Sequence, residues 1–330
     1  MCRLAEWLYE AGIGEARAAL VEDGEIVEAR IERDDEGSPV GTVQFARLLE
    51  AGKRPLVVLD APGEPVVSLA KLPPGLSIGS RLKVEITRTG LLERGRDKLG
   101  RVRIADPDAE VGPGPDLRAR IIATGVKVVE LFGPGPDRLE EAGWSEVIAH
   151  VQRGHWRFDG GELWVDATPA MVLIDIDGDG DPLVLARAGA TAAVGVIRCC
   201  DIGGSIGIDF PSLSGRVDRQ AIDALIDALL PQPFERTAVN GFGLMQIIRR
   251  RVRPSLIEQI RLDPVATDGA LLLRQAERAL GTGVLKLTAR PAVVDHIGGQ
   301  PLWVDMLQKR TGRPVELIAD AAIKGSGHAQ

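Results

Sequence analysis

Residues 39–111 constrain the fold most, because they form a succession of short β-type runs separated by proline and glycine. Leu56-Val57-Val58-Leu59, Pro65-Val66-Val67-Ser68 and Leu82-Lys83-Val84-Glu85-Ile86 all have strand composition. Short strands at this spacing predict a small β-barrel. The breakers at 111–115 and at Gly133-Pro134-Gly135-Pro136 mark boundaries beyond it. Residues 16–33 alternate around Gly24 and predict a β-hairpin, and a helix is expected from 137 to about 153.

From Trp164 onward the pattern changes to alternating strand and helix. Strands are expected at 171–175 and 205–210, and helices at 191–200, 219–230 and 243–253. Such alternation predicts a largely parallel sheet with its functional groups at the carboxyl ends of the strands. The final segment predicts a small α/β unit, with strands at 284–288 and 314–318 enclosing helices at 292–297 and 303–309. A length of 330 residues allows two or three structural units, and 45% hydrophobic with 26% charged residues is the composition of a globular protein. No apolar run approaching 18 residues and no signal peptide are read, so a cytoplasmic protein with no membrane partner is expected. Cys2, Cys199 and Cys200 have neither a disulfide framework nor chelating spacing, and the adjacent pair is read as small buried residues.

Two carboxylates stand at the ends of hydrophobic runs. Asp175 follows Met171-Val172-Leu173-Ile174, and Asp209 follows Ser205-Ile206-Gly207-Ile208. A desolvated carboxylate is costly unless something pairs with it, and a hard divalent cation is one such partner. Mg²⁺ needs only one or two carboxylates, keeps most of its waters and takes other ligands from a phosphate. The same residues could equally cap a helix or end strands at a solvated loop. The run Asp175-x-Asp177-x-Asp179-Gly180 also resembles the start of a calcium loop, but Ala186 stands where its twelfth-position glutamate is required.

Two basic stretches are candidate phosphate contacts. If 243–253 is helical, Gln246, Arg249, Arg250 and Arg253 share one face while Leu244, Ile247, Ile248 and Val252 pack inward. A solvated basic helix end accounts for the same pattern. Residues 81–103 carry eight Lys or Arg against three acids, among them Arg94, Arg96 and Lys98, although the whole chain has a net charge of −7. Aromatic residues are missing from that stretch, so backbone contact would dominate there.

Taken together, these segments resemble the ribonuclease E/G family. The run Gly160-Gly161-Glu162-Leu163-Trp164 through Thr168-Pro169-Ala170 to Ile174-Asp175-Ile176-Asp177 looks like the family's approach to its first metal-binding aspartate. Asp201-Ile202-Gly203-Gly204 through Asp209-Phe210 looks like its Asp-Leu-Gly-Gly strand, and Phe242-Gly243-Leu244 through Ser255-Leu256 like its Phe-Gly-Leu segment. The resemblance is strong over 160–256, fair over 1–35 and 284–318, and weak between 39 and 111. It implies an α/β (α+β) multi-subdomain protein. RNase H-like parts at 1–38 and 112–159 would flank a shortened S1-like barrel at 39–111. A DNase I-like catalytic subdomain at 160–275 and a small α/β domain at 276–330 would follow.

By resemblance, Asp175 and Asp209 would hold one Mg²⁺, with Mn²⁺ as a substitute, and Asp177 would stand where the family has an asparagine near the ligands or scissile phosphate. The implied activity is endonucleolytic hydrolysis of single-stranded RNA, preferring A/U-rich sites and leaving 5′-phosphate and 3′-hydroxyl ends. Several family features are missing. Residues 257–283 contain no cysteine, so no zinc link is expected, and a homodimer would have to form without one. Gly241 replaces the arginine before Phe-Gly-Leu, and the middle region is short, so no 5′-end sensing is expected. Gln246 replaces a glutamate, and Pro211-Ser212 replaces Ile-Asp. A non-catalytic RNA-binding paralogue is the rival reading.

Overall fold

The computed structural model describes residues 5–330 other than 35, 64, 94–96 and 134. The chain opens with β1 (Ala5–Ala11), β2 (Glu15–Glu22) and β3 (Glu25–Arg33). Then come β4 (Val43–Glu50), β5 (Leu56–Leu59), β6 (Val66–Leu69), β7 (Arg81–Arg88) and β8 (Arg101–Ile104). The middle holds α1 (Leu117–Ile122), β9 (Lys127–Leu131), α2 (Arg138–Glu141) and α3 (Trp144–Arg153). After it lie β10 (His155–Phe158), β11 (Gly161–Ala167), β12 (Val172–Gly178), α4 (Pro182–Cys199), β13 (Gly204–Asp209), α5 (Arg216–Leu229), β14 (Phe234–Arg236) and β15 (Leu244–Arg249). The chain ends in α6 (Leu256–Leu262), α7 (Pro264–Glu277), β16 (Leu285–Ala289), α8 (Pro291–Gly298), α9 (Pro301–Thr311), β17 (Val315–Ala319) and β18 (His328–Ala329).

These elements form two compact units, each assembled from separate stretches of chain: Met1–Asp35, Ile121–Ala149 and Gln259–Gln330 in one, Glu36–Arg120 and His150–Glu258 in the other. In the first, the sheet order is β3-β2-β1-β9, with β9 joining parallel to β1. The β2–β3 hairpin turns at Asp23-Gly24, both at positive φ, the backbone that an Asp-Gly pair accepts at low cost. A second sheet, β17-β16-β18, packs with α7, α8 and α9 around Leu272, Leu273, Leu287, Val293 and Leu307. This unit also buries a charge network. Glu10 is 6% exposed and accepts hydrogen bonds from Arg17, Arg274 and Arg278.

The second unit contains a closed five-stranded barrel, β4-β5-β6-β8-β7, filled by Ala46, Leu48, Val57, Val84, Ile86 and Val102 among others. It also contains a six-stranded sheet, β10-β11-β12-β13-β15-β14. The protein is thus mixed α/β with a closed barrel. The sheet is not largely parallel as the alternation suggested: only β12 and β13 run parallel, the other pairings being antiparallel. The one βαβ crossover supplies that pair, while hairpin and loop returns supply the rest. Along β12, Val172, Ile174 and Ile176 are buried and Leu173, Asp175 and Asp177 are exposed, the period-two signature of a sheet covered on one side.

The covering layer is α4 with α5 beside it. Asp181 caps α4 by accepting from the backbone N–H of Leu183 and Val184, and Pro182 follows at the first turn. Gly189 sits against β12 so closely that a Cβ would lie 2.4 Å from Ile176. In length and apolar composition α4 would pass for a membrane span, which the sequence reading did not find. Its Ala186, Ala190, Ala193 and Ile197 are buried, as befits a core helix of this unit. The single helix expected from 137 to 153 is instead two, α2 and α3, separated at Ala142-Gly143 where Gly143 has φ +94°.

Candidate active site

The chemistry-bearing residues stand on the face of the six-stranded sheet opposite α4 and α5. Asp175 and Asp209 are register partners across the parallel β12–β13 pair. Asp209 is the last residue of β13, whereas Asp175 lies midway along β12, which runs on to Gly178 instead of ending at the aspartate. Neighbouring strands lie ~4.8 Å apart, so both carboxylates rise side by side from one face. Neither is enclosed by the core, contrary to the expectation of desolvated strand ends: both are exposed, and alternation with Ile174, Ile176 and Ile208 puts them outward. Asp177 lies two residues further along β12 on the same face. Partial desolvation of the carboxyl at this otherwise exposed residue, followed by the charges of Asp209 and Asp177, pushes Asp175 above its ordinary range. The repulsion that Asp209 and Asp177 exert on the Asp175 carboxylate is what a cation would relieve.

Among the described residues no group of three or more His, Cys, Asp or Glu side chains is arranged to hold a metal. Two hard oxygen donors on an open face fit an ion that keeps most of its waters, which is the Mg²⁺ pattern. The calcium-loop alternative has the wrong scaffold: Asp175 and Asp177 lie in a strand, and Asp181 is spent capping α4.

The segment expected as a helix over 243–253 is strand β15, paired with β13 on one side and β14 on the other. Its Met245 and Ile247 are buried, and Leu244, Gln246 and Ile248 turn to the open face. The shared arginine face therefore does not form. Arg249 donates to the Ile202 carbonyl at 2.8 Å, Arg250 is exposed beyond the strand end, and Arg253 is engaged within the protein. Gln246 pairs in register with Gly207, two residues from Asp209. Of the barrel candidates, Lys98 pairs with Glu93 at 2.6 Å, while Arg94 and Arg96 lie outside the described residues.

The turn before β15 needs its glycine. Gly243 has φ +93°, and a Cβ there would sit 2.4 Å from the Phe210 carbonyl oxygen. Asn240 braces the turn by accepting from the N–H of Phe242 and Leu244. As a result Phe242, 87% exposed, projects from the loop beside the Asp209 end of β13.

An apolar feature of this face escaped the sequence reading. Trp164, 49% exposed, is the register partner of Asp175 on β11, and Leu173, Leu244 and Ile248 are also exposed. Trp164 stacks on His155 with ring centroids 4.4 Å apart, and Glu162 joins both rings, hydrogen-bonded to His155 at 2.8 Å and to the Trp164 indole N–H at 3.2 Å. Those hydrogen bonds hold the Glu162 carboxyl below its ordinary range. The available signal was the alternation Glu162-Leu163-Trp164-Val165-Asp166, which places a tryptophan in the polar phase.

Compared with models of known protein families, the chain matches none, and it matches no curated protein.

Proposed function

We propose that this protein is a divalent-cation-dependent endoribonuclease of the ribonuclease E/G type, hydrolysing single-stranded RNA to 5′-phosphate and 3′-hydroxyl ends. The observation that carries the reading is the register pairing of Asp175 with Asp209 on an open sheet face that also presents Trp164, with Phe242 exposed in the turn before β15. Asp175 and Asp209 would hold Mg²⁺, or Mn²⁺ in its place. Such an ion supplies a water of lowered pKa and positive charge against the phosphodiester. Trp164, steadied by His155 and Glu162, offers its exposed face to a nucleobase. Gln246, the register partner of Gly207, can donate to or accept from RNA. The apolar rim of Leu173, Leu244 and Ile248 lowers local water density around the reacting strand.

A generic A/U-rich single strand incubated with Mg²⁺, and again with EDTA, tests the assignment. Cleavage that requires the cation and leaves 5′-phosphate ends is expected. Tight binding with no cleavage in either condition would favour the RNA-binding paralogue, a reading to which Gln246 lends weight because the resemblance puts a carboxylate there. Trp164→Ala is expected to weaken binding of the uncut strand in EDTA by about 1–3 kcal/mol, the scale of one lost base–aromatic stack. Unchanged affinity in that variant would place the bases elsewhere.

A further inference from the structure

A second polar feature lies at the opposite ends of the same strands. A cavity of about 240 Å³ is lined by Arg88 and Lys98 from the barrel, by Thr168–Val172 before and at the start of β12, by Gly203-Gly204-Ser205, and by Arg251 and Glu258. Ser205 and Asp209 are four residues apart on β13, so the cavity lies roughly 13 Å of strand from the aspartate pair. Its basic groups converge against electrostatic preference. Arg88 and Arg101 are cross-strand partners on β7 and β8, and like charges in that position repel. Burial, then the charges of Arg101 and Arg251, pull the Arg88 guanidinium below its ordinary range.

The neighbouring acids do not balance this cluster. Glu93 pairs with Lys98 and with Arg251, and Glu258 pairs with Arg251 while accepting from the Ser255 N–H. Arg88 donates one Nη–H to the Leu99 carbonyl, but the buried Nε–H groups of Arg88 and Arg251 have no partner among the described residues. Gly203 and Gly204 keep the wall free of side chains, and Gly203 is required because a Cβ would lie 2.8 Å from the Arg250 carbonyl oxygen. Backbone amides can therefore approach a ligand closely.

We propose that this cavity binds a phosphate group, an internal phosphodiester of the RNA strand whose cleavage site lies at Asp175 and Asp209. The identity of the strand rests on the nuclease reading; the affinity for phosphate does not. With Glu93 and Glu258 engaged by Lys98 and Arg251, the Arg88 charge is left over. Planar guanidiniums with N–H groups unpartnered among the described residues suit phosphate oxygens better than a neutral ligand. An internal phosphate, one charge per nucleotide, also agrees with the expectation that 5′ ends go unread.

The test uses the full chain, Arg88→Gln, and Arg88→Lys as the charge-conserving control, with thermal melting in buffer as the check on folding. Inorganic phosphate is expected to raise the melting temperature of the wild type and of Arg88→Lys but not of Arg88→Gln. In EDTA, Arg88→Gln should bind a single-stranded oligonucleotide about tenfold more weakly, as for one lost charge-assisted contact. Its salt dependence should fall by about 0.7 in the slope of log K against log salt. The loss should be equal for 5′-phosphate and 5′-hydroxyl oligonucleotides, which the wild type should also cut at rates within about threefold of each other. A loss confined to 5′-phosphate RNA would overturn the internal-phosphate assignment. Phosphate stabilisation with unaltered RNA affinity would overturn the RNA assignment alone, and no phosphate effect in the wild type would overturn the site. RNA that fails to bind the wild type at all would defeat the nuclease reading instead.

Discussion

Asp209→Asn is expected to lower Mg²⁺-stimulated RNA cleavage by at least about a hundredfold, the scale seen when one essential electrostatic contact is removed from a reacting centre. With only two principal anionic donors, Asp175 and Asp209, the loss of one removes half of the charge available to a cation. The fold should be indifferent. Asp209 is exposed, and exposed substitutions away from special features usually stay within about 0.5 kcal/mol. Removing its charge also relieves repulsion on Asp175. Matched single-turnover rates and melting curves make the comparison, and wild-type turnover in the folded variant would take Asp209 out of the site.

Glu10→Gln is expected to produce the largest loss of stability, about 3–5 kcal/mol at pH 7. Glu10 lies among Arg17 at 2.9 Å, Arg274 at 2.9 Å and Arg278 at 2.7 Å, and the amide would leave these buried guanidiniums short of a counter-charge. Burial opposes ionisation of Glu10, but the three arginines outweigh it and hold the carboxyl below its ordinary range. Its contribution is therefore complete above the unfolded-state value of about 4.3 and is lost as pH falls through the lower folded-state value. Urea unfolding between pH 7 and pH 2 measures this directly. The gap between wild type and variant should narrow below about pH 4. A gap under about 1 kcal/mol at pH 7 would mean that solvent or Asp137, which also pairs with Arg274 and Arg278, takes over the role.

Much of the fold was legible because local pattern and tertiary environment agree. The hairpin around Gly24, the β-runs that close into the barrel and the strand-helix-helix-strand order at the C-terminal end follow from periodicity and turn residues. The failures have specific causes. Over 243–253 the apolar residues at 244, 247, 248 and 252 fit a helix, yet Ile247-Ile248 and the positive φ of Gly243 also fit a strand. A short apolar run does not separate the two readings; pairing with β13 and β14 does. The parallel sheet failed likewise, because strand and helix alternation does not say which way a strand returns.

The sequence by itself determined which residue types are available at the site: two aspartates following aliphatic runs, a tryptophan in a polar phase, and glycines at 203, 204 and 243. Only the tertiary structure decided that Asp175 and Asp209 are neighbours, since they are 34 positions apart in the chain and meet through β12–β13 register. It alone decided that Arg249 turns to a backbone carbonyl and that Arg88, Lys98 and Arg251 line one cavity. The physical reason is that side-chain type and alternation are local properties of the chain, whereas partners, solvent access and shared electrostatic fields depend on which strands pair.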